Sequence, residues 1–257
     1  MQLIKTKMST NHPDEGRFTD LVTGNELIRI RASTFAGAMG YCEYIVPMVA
    51  DGIKAKATEA MKEGSKLHKE REKLEEKEKK FVEATDEEVR ELLKIGEQIE
   101  FKMEGNTATL KHGNFLYVGR MDKVKGVTRR GFTIEEFKTQ SVKTKPKIFD
   151  DYIWQAMMYA EMASKNYNLP LTRGKLNFVI KDRITKLEYP TENISINKNL
   201  AGNFYKIMKR FEQLYLKTVQ PNYHGNPNKC QACKQEYKSN CPVWNNASIK
   251  MPEFQGG

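Results

Sequence analysis

The sequence predicts an α/β fold, a mixed central sheet flanked by helices. Three observations carry that expectation. The first is the order of patterns along the chain: helical stretches, then strands, then a helix, more strands and a last helix. The second is a pair of segments, TATLKHGNFLYVGRMDKVKG and GFTIEEFKTQ, which alternate in polarity and are rich in β-branched and aromatic residues. The third is the lack of any internal repeat or long low-complexity linker. One domain is therefore expected over residues 1–257. Within it, 1–28 stays unassigned, 29–220 forms the core with a helical insert at about 51–104, and 221–257 is a cysteine-rich tail.

The elements follow in order. Arg31-Ala-Ser33-Thr34-Phe35 opens a short helix, with Ser33 or Thr34 as its N-cap, and that helix leads to Cys42. A helical region is expected from about 51 to 80; its second half, Lys69 to Lys80, is nearly all Lys, Arg and Glu, the composition of a solvated helix face. Thr85-Asp86-Glu87-Glu88 has the form of a capping box and predicts a helix to about Glu104. After the strand segments, Phe149 to Tyr167 reads as a helix, with Ile153, Met157, Ala160 and Met162 near helical spacing. GKLNFVIKDRITKLEYP reads as two strands and a short turn. Asn199 to Lys217 is an amphipathic helix with Phe204, Ile207, Phe211 and Leu214 on one face. From Pro221 onward the chain is rich in Asn, Pro, Gly and Cys, without regular periodicity, so it needs another constraint to be ordered.

Composition narrows the partners. The chain has 257 residues, a formal net charge of +10 and a pI of about 9.2. A basic balance of this size favours a polyanion, most often nucleic acid. No window approaches the roughly 18 apolar residues of a membrane span, so no membrane association is expected. The first residues, MQLIKTKMSTNHPDEG, lack the apolar core of a secretory signal. The expected location is the cytoplasm, where cysteines serve more often as metal ligands than as disulfides.

The chemistry concentrates in Gly119-Arg120-Met121-Asp122 and Ile134-Glu135-Glu136-Phe137-Lys138. These read as two adjacent strands joined by a Gly-flanked turn, the first ending on Asp122. Side chains alternate along a strand, so Glu136 and Lys138 point the same way, and a hairpin brings Asp122 towards them. Glu135 competes with Glu136, but it faces the other side of the strand from Lys138. Two carboxylates repel unless a cation lies between them, and a hard divalent ion such as Mg²⁺ suits that oxygen pair. The Phe137 carbonyl offers a further oxygen. Lys138 can then hold a water or stabilise developing phosphate charge. Upstream, Gly64-Ser-Lys-Leu-His68 places an imidazole on a helix. Downstream, Gln155 and Tyr159 stand at i and i+4 on one helical face.

In this order, G-x-x-x-H, G-x-x-D, E-x-K and Q-x-x-x-Y resemble the PD-(D/E)XK nuclease superfamily with its restriction-endonuclease-like core, and within it the RecB-like branch. The resemblance covers roughly residues 30–245. It implies that His68, Asp122 and Glu136 bind Mg²⁺ or Mn²⁺, with the Phe137 carbonyl, that Lys138 positions the attacking water, and that Gln155 with Tyr159 supports the lysine and substrate.

The chain has four cysteines: Cys42, and Cys230, Cys233 and Cys241 in the spacing C-x₂-C-x₇-C. Three thiols in a tail with little core look like a metal clip. Four thiolates suit structural Zn²⁺ or an iron–sulfur cluster, and composition leaves both open. The one-plus-three layout resembles the iron–sulfur nucleases, namely the CRISPR-associated Cas-four family and, more distantly, AddB-type nuclease domains. That resemblance implies a [4Fe–4S] cluster tying the tail to the N-terminal helix, in a mainly structural role.

For the substrate, Lys143, Lys145 and Lys147 follow directly on the catalytic strand and can meet phosphates, as can Arg120. Tyr152 and Trp154 are stacking candidates, although aromatic residues more often pack in cores. Nothing resembles a base-reading element, so little sequence specificity is expected. The resemblance implies a single-strand DNA exonuclease, 5′-to-3′, working in CRISPR spacer acquisition beside the integrase. A viral or mobile-element recombination nuclease and a non-catalytic DNA-binding subunit are the alternatives. Oligomeric state stays open, a homo-oligomer included.

Overall fold

Two sheets, rather than the one expected, organise the chain. The computed structural model describes residues 2–7, 15–20, 23–78, 82–84, 86–95, 99–104, 108–128 and 131–246. The region left unassigned contributes strands β1 (Gln2–Lys7), β2 (Gly16–Thr19) and β3 (Glu26–Arg31). Helices α1 (Ala32–Tyr41), α2 (Ile45–Ala50) and α3 (Glu59–Glu78) come next, followed by β4 (Val82–Ala84), α4 (Asp86–Ile95) and β5 (Ile99–Glu104). The strand-rich centre is β6 (Ala108–His112), β7 (Phe115–Gly119), β8 (Lys123–Thr128) and β9 (Gly131–Gln140). Helix α5 (Asp150–Tyr167) leads to β10 (Gly174–Asp182), β11 (Glu188–Pro190), β12 (Ile194–Ser195) and α6 (Lys198–Tyr215). The tail holds short helices α7 (Pro227–Ala232), α8 (Gln235–Lys238) and α9 (Pro242–Asn245).

The larger sheet runs in the order β11-β10-β9-β8-β5-β1-β4, with β12 also on β10, and the smaller in the order β2-β3-β7-β6. Strands β8 and β9 are antiparallel neighbours, while β9 and β10 are parallel and joined through α5. A parallel pair needs such a crossover, and a helix is its usual form. Helix α5 suits that place. Asp150 and Asp151 sit in its first turn, where carboxylates favour the helix dipole, and Asn168 closes it in the left-handed conformation at φ 54°. Ala156, Met157, Met158, Ala160, Met162 and Ala163 are all fully buried. Across α1, β7 and α6, Phe35 meets Tyr117, Phe204 and Phe211 edge-to-face at 5.3 to 6.0 Å, an arrangement aromatic rings prefer.

Several expectations are corrected. In the region expected to be helical from 51 to 80, residues 51–58 are non-helical and α3 starts only at Glu59; Gly52, at φ 79°, follows the end of α2 in a conformation that suits glycine. Helix α1 starts at Ala32, with Arg31 at its N-cap and no side-chain cap bond, so Ser33 and Thr34 lie inside it. Strand β3 runs straight into α1 and leaves no room for a separate cap. The helix expected to reach Glu104 ends at Ile95. Residues 99–104 are instead β5, inserted between β1 and β8, which fits the two-residue alternation of Ile99, Phe101 and Met103. The helical insert of 51–104 therefore contains sheet. Thr85 of the capping box and the last two residues of the charge run lie outside the described residues.

Asp122 is also placed differently. It does not end a strand of the β9 hairpin. It lies in the break between β7 and β8, where the chain leaves the smaller sheet and enters the larger one.

Candidate active site

That break aims Asp122 at the middle of β9. Asp122 Oδ2 accepts a hydrogen bond from the Phe137 backbone N–H at 2.7 Å, and its Oδ1 lies 2.6 Å from His68 Nε2. The Asp122 backbone N–H in turn donates to Glu136 Oε1 at 3.4 Å. On the α5 side, Lys138 Nζ donates to Glu136 Oε2 at 3.1 Å and to Gln155 Oε1 at 2.9 Å, and Gln155 Nε2 donates to the Tyr159 hydroxyl at 3.0 Å. Six side chains from α3, β9, α5 and the β7–β8 connection thus form one hydrogen-bonded chain. The structure brings together His68, Asp122, Glu136, Lys138, Gln155 and Tyr159.

Two motif glycines explain part of this fit. A Cβ on Gly64 would stand 2.6 Å from Thr139 Oγ1, so glycine lets α3, which carries His68, lie against β9. A Cβ on Gly119 would stand 2.5 Å from the Tyr159 ring.

The electrostatics are uneven. Burial and then the Asp122 charge push Glu136 up to about 7, against the downward pull of Lys138. Burial would also raise Asp122, but the His68 hydrogen bond and charge, Lys138 and the Phe137 N–H outweigh it and hold Asp122 low. Burial would lower His68, yet its bond to Asp122 and the charges of Asp122, Glu72 and Glu136 raise it. Lys138, likewise opposed by burial, is raised by Glu136 and Asp122 and stays cationic. Burial pushes the Tyr159 phenol far up, so it remains neutral. The site carries two carboxylates meeting at one point with cations on either side. Among the described residues no three His, Cys, Asp or Glu side chains stand in ready-made metal geometry. Asp122 and Glu136 spend their oxygens on protein partners.

Around this centre stand residues named in the sequence and one, Glu72, that it did not single out. Glu135, on the opposite face of β9, is bound by Lys125 at 2.5 Å and lies 3.7 Å from Arg71 and 3.9 Å from Lys123. Glu72 faces His68 and is paired with Arg120. Its signal was the spacing of four residues from His68, hidden inside the charge run. Lys143, Lys145 and Lys147 are exposed in the loop after β9. Tyr152 and Trp154 pack against the core.

The tail docks on α1. The Tyr41 hydroxyl donates to the Lys229 carbonyl, and the Lys229 ammonium lies 5.6 Å from the Tyr41 ring centroid. Cys42 is the C-cap of α1, Cys233 that of α7, and Cys241 the N-cap of α9; the four cysteines form no disulfide. Burial pushes the Cys42 thiol up to about 11. A cavity of about 1000 Å³ lies between α1, α2 and residues 232–237, and Asp151 and Gln155 stand in its wall. Arg17, Arg31, Lys54, Lys234, Tyr41 and Tyr237 also line it, with Glu15 and Asp51. No described helix is long and apolar enough to cross a membrane.

The family model described as the PD-(D/E)XK nuclease superfamily matches residues 47–242. No curated protein matches. Among solved structures, a putative exonuclease from Eubacterium rectale is similar at 13% identity and TM-score 0.45, over 80% of this chain and 88% of that one. SSO0001 is similar at 15% identity and TM-score 0.40, over 85% and 88%. The alkaline exonuclease LHK-Exo from Laribacter hongkongensis is similar at 15% identity and TM-score 0.38, over 74% and 89%.

Proposed function

The chain belongs to the PD-(D/E)XK nuclease superfamily and is a deoxyribonuclease of that type, and from that premise we propose that it is a divalent-metal-dependent exonuclease acting on single-stranded DNA. The observation that carries the reading is the meeting of Asp122 and Glu136 beside Lys138. Their oxygens, the His68 imidazole and the Phe137 carbonyl are the donor chemistry a hard cation such as Mg²⁺ or Mn²⁺ takes. The raised Glu136 fits the same reading, because a carboxyl crowded by another carboxylate is relieved by a shared cation. When bound, the ion supplies charge neutralisation at the phosphate and acidifies a bound water.

The protein's own residues do the rest. Gln155 accepts from Lys138 and is itself anchored on Tyr159, so the ammonium is held at a fixed place beside Glu136. From there it orients the attacking water and offsets charge that develops on the phosphate. A positioned donor of this kind contributes about 10²–10³-fold in rate. The cavity that reaches Gln155 supports a single-strand substrate, since cations and tyrosines line its wall. Lys143, Lys145 and Lys147 are further phosphate contacts in this reading, whereas Arg120 is taken up by Glu72. The 5′-to-3′ direction and work beside a CRISPR integrase rest on the family resemblance.

The cysteine quartet carries a structural [4Fe–4S] cluster in this reading. Support comes from the donor set, four thiols with no disulfide, and from the docking of the tail on α1 through Tyr41 and Lys229. Iron and acid-labile sulfide in anaerobically purified protein test it; zinc without iron overturns it.

The nuclease reading is tested by cleavage of labelled single-stranded and duplex DNA with Mn²⁺, using Lys138→Ala and Asp122→Ala. Wild type should degrade the single strand from an end, faster than duplex, and both variants should fail. Equal cutting by wild type and variants removes the catalytic assignment. Substrates blocked at one end report the direction.

A further inference from the structure

His68 has a carboxylate on the side of each ring nitrogen, one in hydrogen-bond contact and one beyond it. Its Nε2 faces Asp122 at 2.6 Å, and its Nδ1 faces Glu72 Oε1 at 3.6 Å. Glu72 lies one turn further along α3, so the two side chains share a helix face. Glu72 is itself held by Arg120, and Arg120 belongs to the same β7–β8 connection as Asp122. The ion pair therefore ties the helix that carries His68 to the segment that carries Asp122. The Phe137 ring stands against the imidazole, centroids 5.7 Å apart and planes at 71°, and limits its rotation. The Glu72 side chain keeps only 16% exposure, which is low for a carboxylate in a helix of mostly charged residues.

We propose that Glu72, fixed by Arg120, is a positioning residue for His68: it accepts from Nδ1–H and so leaves Nε2 to face the divalent cation. An imidazole that binds a metal through one nitrogen normally donates its other N–H to a carboxylate or carbonyl, which sets both tautomer and ring orientation. Glu72 supplies that acceptor, and Arg120 keeps it from turning to the cation itself. The inference rests on the metal reading above and adds to it an outer layer that the four sequence motifs do not contain.

The test is Mn²⁺ binding to the full chain, followed by electron paramagnetic resonance or calorimetry without DNA. Glu72→Ala should weaken Mn²⁺ about 10–100-fold, the range found when such partners are removed. Glu72→Gln, which still accepts from Nδ1–H, should recover part of the loss, and Arg120→Ala should cost less than Glu72→Ala. In a His68→Ala background, Glu72→Ala should cost nothing more, because its effect passes through the imidazole. Unchanged affinity in Glu72→Ala, or the same loss with and without His68, overturns the proposal. Asp122→Ala separates the two layers. If it weakens Mn²⁺ while Glu72→Ala does not, the pairing alone fails; if neither it nor wild type responds to Mn²⁺, the metal reading fails and takes the pairing with it. Thermal melts of each variant confirm that the fold is kept.

Discussion

Glu135 and Glu136 are neighbours in one strand, both buried, and their surroundings handle the two charges in opposite ways. Glu135 points towards α3 and β8, where Lys125, Arg71 and Lys123 surround it. Glu136 points towards α5, where it meets Asp122; Lys138 lies beside Glu136, and the charge of His68 is taken up by Asp122. A carboxylate among several cations belongs to the architecture: it lets Lys123 be buried with only 3% of its side chain exposed. A carboxylate pressed against a second carboxylate has a shortage of positive charge, and a ligand cation fills it. One step along a β-strand changes the face, and with it the work of the same side chain.

The largest effect expected from this contrast is on turnover. Glu136→Gln and Lys138→Ala should each lower the cleavage rate by about 10²–10⁴-fold, the usual range for a positioned catalytic group. Glu135→Gln should change the rate per folded molecule by less than about tenfold, since Glu135 shares a cavity wall with Asp122 and His68 but is held by Lys125 and the cations around it. Single-turnover cleavage, normalised to the folded fraction, checks this. A Glu135 variant as dead as the Glu136 variant would break the contrast.

Stability should show the reverse order. Glu135→Gln removes the charge that Lys125, Arg71 and Lys123 gather around, and breaking a buried pair from one side costs about 3–5 kcal/mol. Glu136→Gln removes a crowded charge and should cost little or even stabilise. Urea midpoints of the two variants sharpen the comparison. A larger loss in the Glu136 variant would show that its charge, too, is architectural.

How much of this was legible in the sequence follows the range of the interactions. Glu136 and Lys138 are two residues apart on one strand, and Gln155 and Tyr159 one helical turn apart, so local spacing placed them correctly. Helices α5 and α6 were legible because their apolar faces repeat at helical spacing. What failed depended on pairing between distant segments. Strand β1 is held between β4 and β5, and β5 between β1 and β8, relations no local pattern contains. Asp122 was read as a strand end because the switch between two sheets leaves no mark beyond Gly119. Glu72 was read as one charge among many because its partner, Arg120, stands 48 residues away.

The smallest expected effect is on the pH dependence of stability in chelator-treated protein. Glu136 is held at about 7, above the 4.5 of a free glutamate. Between those values the folded chain keeps a proton that the unfolded chain has released, so stability falls as pH rises through the window. The whole shift is worth about 3 kcal/mol. His68, raised above 6.5, acts in the same direction, its contribution being full below 6.5 and lost as pH passes its folded value. Asp122, held low, acts only at the acid end, where its contribution is lost as pH falls below 3.8. Urea midpoints should therefore decline from pH 5 to pH 8. Glu136→Gln should flatten the decline below pH 7 and leave the His68 limb, and Mn²⁺ should recover the loss at pH 8. A wild-type curve that rises over this range, or one that Glu136→Gln leaves unchanged, would mean that Glu136 already has the positive charge it needs, and its difference from Glu135 would vanish.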